Sequence, residues 1–167
     1  KEDNEDMVSL HFDHGMDCNM QFLEDPDDSD NKARREEWTP MHYAAENGCM
    51  NLILVLVSRG AGIDPTDQLL RTPLMVAIEN SKSAVARSLI ELGADIESTD
   101  VYGKTSLMYA CKAACKEVVE LLIKCKADIK AVNKLGDSAV TMAQKSGDSD
   151  IMMMLVKAGA PLRPASR

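Results

Sequence analysis

The feature that most constrains the fold of this chain is an internal repeat with a constant period. Four segments with the same pattern align without insertion: Thr39–Ala45, Thr72–Ile78, Thr105–Cys111 and Ser138–Gln144. A second anchor has the same spacing and consists of Gly60–Asp64, Gly93–Glu97, Lys126–Lys130 and Gly159–Arg163. Two independent anchors that share one period indicate a chain built from stacked copies of a single supersecondary unit.

Each copy has the pattern of two short helices. Thr39 is expected to cap the first helix and Pro40 to occupy its first turn, where proline loses no hydrogen bond. An alanine recurs in every copy and predicts close approach of neighbouring helices: Ala44, Ala77, Ala110 and Ala143. The second helix carries an apolar stripe. It is expected to end at a left-handed residue, which is Gly60 in the first copy and the less suitable Lys126 in the third.

These anchors and their common period resemble those of the ankyrin-repeat family, whose unit is about 33 residues long. The resemblance implies an all-α fold, namely a solenoid of stacked helix-turn-helix units with β-hairpin fingers. It covers residues 34–163, with repeats at about 34–66, 67–99, 100–132 and 133–163, and it leaves residues 164–167 as a tail. A single repeat of this kind cannot bury its own apolar face, so the stack is expected to provide the core.

The net charge of −8 lies almost entirely near the N-terminus. Residues 1–34 contain eleven acidic and three basic residues, whereas the rest of the chain contains sixteen of each. Residues 1–33 also lack both repeat anchors, and they are predicted to form either an acidic arm or a degenerate N-terminal cap. Because the repeats are neutral overall, the basic face typical of nucleic-acid binding is not expected.

The sequence contains no motif that predicts an enzyme, a cofactor or a metal site. The spacing of His11, His14 and Cys18 resembles that of zinc ligands, but only Asp13 or Asp17 is available as a fourth ligand. No apolar run is long enough to span a membrane. Five cysteines without a CxxC pair predict reduced thiols and a location in the cytoplasm or nucleus.

Function is therefore expected at the surface. The resemblance implies a monomeric scaffold that binds a short segment of a partner protein on its concave side, between the finger tips and the first helices. The predicted contact residues are Trp38, Tyr43, Glu46, Asn47, Leu69, Arg71, Val76, Glu79, Asn80, Tyr102, Lys104, Tyr109, Lys112 and Leu135. Acidic residues lie toward the first repeats, and lysines, including Lys145, lie toward the last. An extended peptide is therefore expected to bind in one orientation.

The run from Trp38 to Glu46 has a narrower resemblance, to the methyl-lysine cage in the ankyrin domain of the euchromatic histone lysine methyltransferases. The resemblance implies that Trp38 and Tyr43 form aromatic walls and that Glu46 supplies the acidic group, because aromatic faces attract alkylammonium ions. That family takes a further wall from the following repeat, where this chain has Val76. A histone-tail reader is thus one alternative function, and a structural section of a longer solenoid is another.

Overall fold

The computed structural model describes residues 37–161 of the chain. Within that range eight α-helices follow one another in four pairs. Their bounds are α1 Pro40–Asn47, α2 Met50–Ser58, α3 Pro73–Glu79, α4 Ser83–Glu91, α5 Ser106–Lys112, α6 Lys116–Lys124, α7 Ala139–Ser146 and α8 Ser149–Lys157. The starts of α1, α3, α5 and α7 keep the period of the sequence repeat, and the all-α solenoid predicted from the sequence is confirmed.

The first helix of each pair begins at the predicted Thr or Ser. The hydroxyls of Thr72 and Thr105 each accept the backbone N–H of the third helical residue at 3.4 Å, and the hydroxyl of Ser138 accepts the N–H of Thr141 at 3.3 Å. These bonds satisfy donors that a helix otherwise leaves open. In α1 the side chain of His42 adds a bond, because its Nδ1 accepts the N–H of Thr39 at 3.2 Å.

The core consists of rows of equivalent side chains that run through the stack. The four recurrent alanines are fully or almost fully buried, as the sequence predicts. A second row is leucine in every repeat: Leu56, Leu89, Leu122 and Leu155. The first helices pack more extensively against one another than the second helices do. The stack is therefore concave on the side of α1, α3, α5 and α7.

Three rows of residues have left-handed backbone conformations. One row ends the second helices, at Gly60, Gly93, Lys126 and Gly159, which confirms the predicted helix ends. Lys126 has a φ of 64°, so the expected strain at this non-glycine position is present. One of the other two rows lies between the two helices of each pair, and the other lies at the finger tips. The non-glycine members of all three rows are Glu37, Leu70, Ser81, Ala114 and Lys126.

The fingers are short hairpins between helix pairs. Each is closed by a backbone hydrogen bond: Asp67 N to Arg71 O and Asp100 N to Lys104 O, both 3.1 Å, and Asn133 N to Asp137 O, 2.9 Å. Within residues 37–161 the β-structure of the fingers is limited to the isolated bridges Thr99–Thr105 and Val132–Ser138. The predicted β-hairpins are thus present as tight turns, without extended strands in this part of the chain.

The fourth repeat is more polar than the others at one position of its first helix. Gln144 of α7 is exposed, whereas the equivalent residues Ile78 and Cys111 are buried between repeats. Met153 of α8 is also exposed, but it occupies the outward position that is exposed in every second helix. The four residues at that position are Leu54, Arg87, Glu120 and Met153. The exposure of Met153 therefore follows from its place on the convex side.

Candidate partner-binding surface

The finger tips are held by one buried polar side chain per finger: Asp67, Asp100 and Asn133. In each finger the Oδ1 atom accepts the backbone N–H groups two and four residues further on, at 2.8–2.9 Å. These bonds close the turn from inside and fix the tip. These three residues are not among the contact residues predicted from the sequence. Their signal was that they recur with the period of the repeat, five positions before Thr72, Thr105 and Ser138.

The second carboxylate oxygen of Asp67 connects the first two repeats. It accepts Nε1 of Trp38 at 3.2 Å and Nε of Arg71 at 2.8 Å. The guanidinium also bonds Oε2 of Glu79 at 2.9 Å, so the charge of Arg71 lies between two carboxylates. A buried arginine of this kind requires such partners, because an unpaired charge would be strongly unfavourable in the interior.

The equivalent oxygen of Asp100 is used within the third repeat. It accepts the hydroxyl of Tyr109 at 2.8 Å. Burial and the neighbouring carboxylate of Asp100 raise the pKa of Tyr109, so its phenol remains a hydrogen-bond donor at neutral pH. The ammonium of Lys104 lies over two aromatic rings, 5.1 Å from the centroid of Tyr102 and 5.9 Å from that of Tyr109. This contact places a positive charge beside the tip of the third finger.

Four of the predicted contact residues are buried and therefore do not offer their side chains to a partner. They are Trp38, Arg71, Val76 and Tyr109, of which Trp38 is only 2% exposed. The prediction that Trp38 is a surface contact residue is wrong, since its side chain is buried. Its indole lies inward because Asp67 provides an acceptor for its N–H, and Val76 lies on the buried side of α3. Trp38, Arg71 and Tyr109 instead help to position the surface.

The other predicted contact residues reach solvent to different degrees. Tyr43, Glu46, Leu69, Glu79 and Lys104 are half-buried, and Asn47, Asn80, Tyr102, Lys112 and Leu135 are exposed. Tyr102 and Leu135 are 51% and 79% exposed and occupy equivalent positions on neighbouring fingers. A backbone hydrogen bond from Lys134 N to Tyr102 O, 2.9 Å long, joins these two fingers.

The charge pattern on the concave side is weaker at some positions than the sequence suggested. Glu79 is paired with Arg71, and Nζ of Lys145 lies 2.7 Å from Oδ2 of Asp137. These two predicted charges are thus largely satisfied within the protein. Lys112 is exposed and forms no ion pair among the residues that the structure describes. Lys112 is therefore more available to a partner than Glu79 or Lys145.

The geometry of Trp38 and Tyr43 does not leave an open aromatic cage. Their ring centroids are 5.1 Å apart and the rings are inclined by 73°, so the edge of one ring packs against the other. The ring of His42 stacks on Trp38 at 5.8 Å, and the guanidinium carbon of Arg71 also lies 5.8 Å from the Trp38 ring. Arg71 therefore already provides a cation to the indole, which does not favour the methyl-lysine alternative.

The described residues give no indication of metal chemistry. Within residues 37–161 no group of three or more His, Cys, Asp or Glu is arranged to hold a metal ion. The candidate ligands His11, His14 and Cys18 lie outside the described residues. The cysteines in the described range are unpaired, and burial raises the pKa of Cys111 to about 12, which makes its thiol unreactive. No helix in this range is long and apolar enough to cross a membrane.

Comparison with protein families gives a match to a family model described as ankyrin repeats, three copies. It matches residues 1–100, 64–133 and 97–165. Because these matches span almost the whole sequence, the chain belongs to the ankyrin-repeat family. Ankyrin repeats are in general protein–protein interaction modules, and proteins built from them are typically non-catalytic scaffolds. A search of curated proteins gives no match. The first family match includes residues 1–33, whose role as an arm or cap stays a prediction.

Proposed function

We propose that this domain binds a short extended segment of a partner protein along its concave side, across the finger tips and the exposed parts of the first helices. The observation that carries this proposal is the pair Tyr102 and Leu135, two large apolar side chains exposed on adjacent fingers. Tyrosine at the centre of an interface contributes strongly to binding, because it buries a large rigid ring with a polar tip.

The surface is also suited to binding because it is rigid before a partner arrives. The Oδ1 atoms of Asp67, Asp100 and Asn133 fix the three tips. Backbone bonds from Val101 N to Leu69 O and from Lys134 N to Tyr102 O, both 2.9 Å, join the fingers into one row. A surface that is ordered in the free protein loses less conformational entropy on association.

The test begins with short random peptides displayed on phage and selected against the full chain. Affinities of the enriched peptides are then measured for Tyr102→Ala and Leu135→Ala. Matched controls are Leu54→Ala and Met153→Ala on the convex side, where the native side chains are 49% and 54% exposed. Each concave variant is expected to weaken binding about tenfold or more, the range of an interface hot spot. The convex variants are expected to bind normally.

Circular dichroism of each variant provides the folding control, since an unfolded variant would lose binding for another reason. The proposal is wrong if folded concave variants bind the selected peptides as tightly as the wild type does. It is also wrong if only the convex variants lose binding, because the binding surface would then be on the second helices.

A further inference from the structure

Leu70 is an exposed, strained leucine at the tip of the finger of the second repeat. Its φ is 55°, in the left-handed region, and its side chain is 49% exposed. The equivalent residues of the next two fingers are Gly103 and Gly136, with φ of 74° and 80°, while Glu37 precedes them in the first repeat with a φ of 65°. Glycine adopts this conformation readily, whereas a leucine side chain makes it unfavourable. The second repeat therefore has leucine at a position where the turn favours glycine.

The backbone of the turn does not require the leucine side chain. The backbone N–H of Leu70 donates to Asp67 O at 2.8 Å, and Gly103 and Gly136 make the equivalent bonds to Asp100 O and Asn133 O. The turn thus forms equally well without the leucine side chain. Leu70 also does not belong to the described residues that pack against the core. A strained residue that also exposes a large apolar side chain is a candidate for a functional position.

Leu70 lies beside the other exposed apolar residues of the fingers. The carbonyl of its neighbour Leu69 accepts the N–H of Val101, which precedes Tyr102. Leu70, Tyr102 and Leu135 thus lie on three consecutive fingers. We name these three residues the finger-tip ridge. Adjacent exposed apolar side chains on a rigid platform are the usual anchor of a protein interface.

The charge next to the ridge is positive on the fingers of the third and fourth repeats. Lys104 lies over the Tyr102 ring, and Lys134 is exposed next to Leu135. Lys112, on the third repeat, is exposed too. None of these three lysines forms an ion pair among the described residues, whereas the nearby carboxylate of Asp100 is buried and bonded to Tyr109. A partner that binds here gains most from negative charges facing these lysines.

From this combination we infer that the finger-tip ridge, together with Lys104, Lys112 and Lys134, selects an acidic peptide segment that carries apolar anchor residues. The inference rests on the proposed function and specifies the chemistry of its partner. It also assigns a specificity-determining role to Leu70, which lies next to the predicted contact residue Leu69.

The decisive variant is Leu70→Gly, because its two effects have opposite signs. Removing the strained side chain is expected to raise the melting temperature, since glycine suits the left-handed turn. The same change is expected to weaken binding of the phage-selected peptides about tenfold, because it removes an apolar anchor. A residue with only a structural role would not give higher stability together with weaker binding.

The charge requirement is tested with the same peptides in two forms. In the second form every Asp and Glu is replaced by Asn and Gln. We expect the acidic form to bind more tightly, and Lys134→Gln to weaken its binding about threefold, as is typical of one exposed charge contact. Lys124→Gln on α6, also exposed, is the matched control and should leave binding unchanged.

The possible results separate this inference from the proposed function. If the selected peptides lose affinity for Tyr102→Ala but bind Leu70→Gly normally, concave binding stands and the role of Leu70 is wrong. If acidic and neutral forms bind equally, the acidic partner class is wrong. If selection yields no peptide that depends on the concave side, both the proposed function and the further inference fail.

Discussion

The hydroxyl of Tyr109 donates a 2.8 Å hydrogen bond to Oδ2 of Asp100, and both side chains are buried. The other oxygen of Asp100 accepts the backbone N–H groups of Tyr102 and Lys104 at 2.9 and 2.8 Å. A single carboxylate therefore connects helix α5 to the exposed tip of the third finger. This connection lets a residue inside the repeat determine where the surface residue Tyr102 lies.

Removing the Tyr109 hydroxyl should destabilise the domain measurably. In Tyr109→Phe the buried Oδ2 atom of Asp100 loses the donor that it has in the wild type. The loss of such a partner typically reduces the free energy of unfolding by about 1–3 kcal/mol. Urea denaturation of the variant and the wild type measures the difference. Tyr102→Phe is the control, because the side chain of Tyr102 is half exposed and its hydroxyl can bond to water.

A second outcome of Tyr109→Phe concerns the double variant with Asp100→Asn. In the double variant the carboxylate charge that accepts the Tyr109 hydroxyl is absent. The two substitutions together should therefore destabilise the domain by less than the sum of their separate effects. Strict additivity would mean that the hydrogen bond between Tyr109 and Asp100 makes no specific contribution to stability.

His42 should make the domain less stable in mildly acidic solution. Its Nε2 faces the carbonyl of Arg71 at 3.0 Å and must donate, while Nδ1 accepts the N–H of Thr39, so the buried ring is neutral. Burial lowers the pKa of His42 below its usual 6.5. The unfolded chain therefore binds this proton more tightly than the folded protein does. The contribution of neutral His42 to the free energy of unfolding is complete above pH 6.5 and is lost as the pH falls through and below that value.

Thermal unfolding at a series of pH values between neutrality and mild acid measures this effect. His42→Gln should be less stable than the wild type at neutral pH, yet its stability should fall less steeply on acidification. The remaining histidines, His11 and His14, are the same in both proteins and cancel in the comparison. Parallel pH profiles for the two proteins would show that His42 does not control the acid response.

The repeated architecture could be predicted from the sequence because its causes are local and periodic. A Thr or Ser cap and a helix-ending residue such as Gly93 each act within a few residues, and their recurrence in four copies multiplies the signal. The strain at Lys126 was predictable for the same reason, since the other repeats have glycine there.

The candidate surface was less predictable because it depends on contacts between repeats. The sequence pattern placed Trp38 among the contact residues, but its indole is buried and bonds Asp67, 29 residues away. Leu70 was not identified because a leucine reveals its left-handed φ only by alignment with Gly103 and Gly136 at the finger tips. That alignment was available in the sequence, as was the spacing of Asp67 and Asp100.

Replacing Lys126 by glycine should stabilise the domain. Lys126 ends α6 with a φ of 64°, and its side chain is exposed. The substitution relieves the left-handed strain, but glycine also has more conformational freedom in the unfolded chain. The expected net gain in the free energy of unfolding is about 0.5–1 kcal/mol. Urea denaturation measures it. Glu120→Gly, at an exposed site within α6, should instead lose about 1 kcal/mol. A loss of stability in Lys126→Gly would contradict the assignment of strain.

Asn133 holds the finger of the fourth repeat, where the second and third repeats have aspartate. Its Oδ1 accepts the N–H groups of Leu135 and Asp137, but its Nδ2 is buried and has no hydrogen-bond partner among the described residues. A simple comparison of the repeats would suggest Asn133→Asp as a stabilising change. The surroundings predict the opposite, because Met142 occupies the position of the hydroxyl donor Tyr109.

In Asn133→Asp the new carboxylate oxygen would be buried beside Met142 without a donor, and Asp137 would lie close by with a like charge. We expect a loss of about 1–3 kcal/mol in the free energy of unfolding at neutral pH. Adding Met142→Tyr should restore much of it, since the hydroxyl can then donate to the carboxylate as Tyr109 donates to Asp100. Met142→Tyr alone controls for the larger side chain. If the double variant is no more stable than Asn133→Asp, the pairing of a finger aspartate with a helix tyrosine is not the interaction that stabilises this tip.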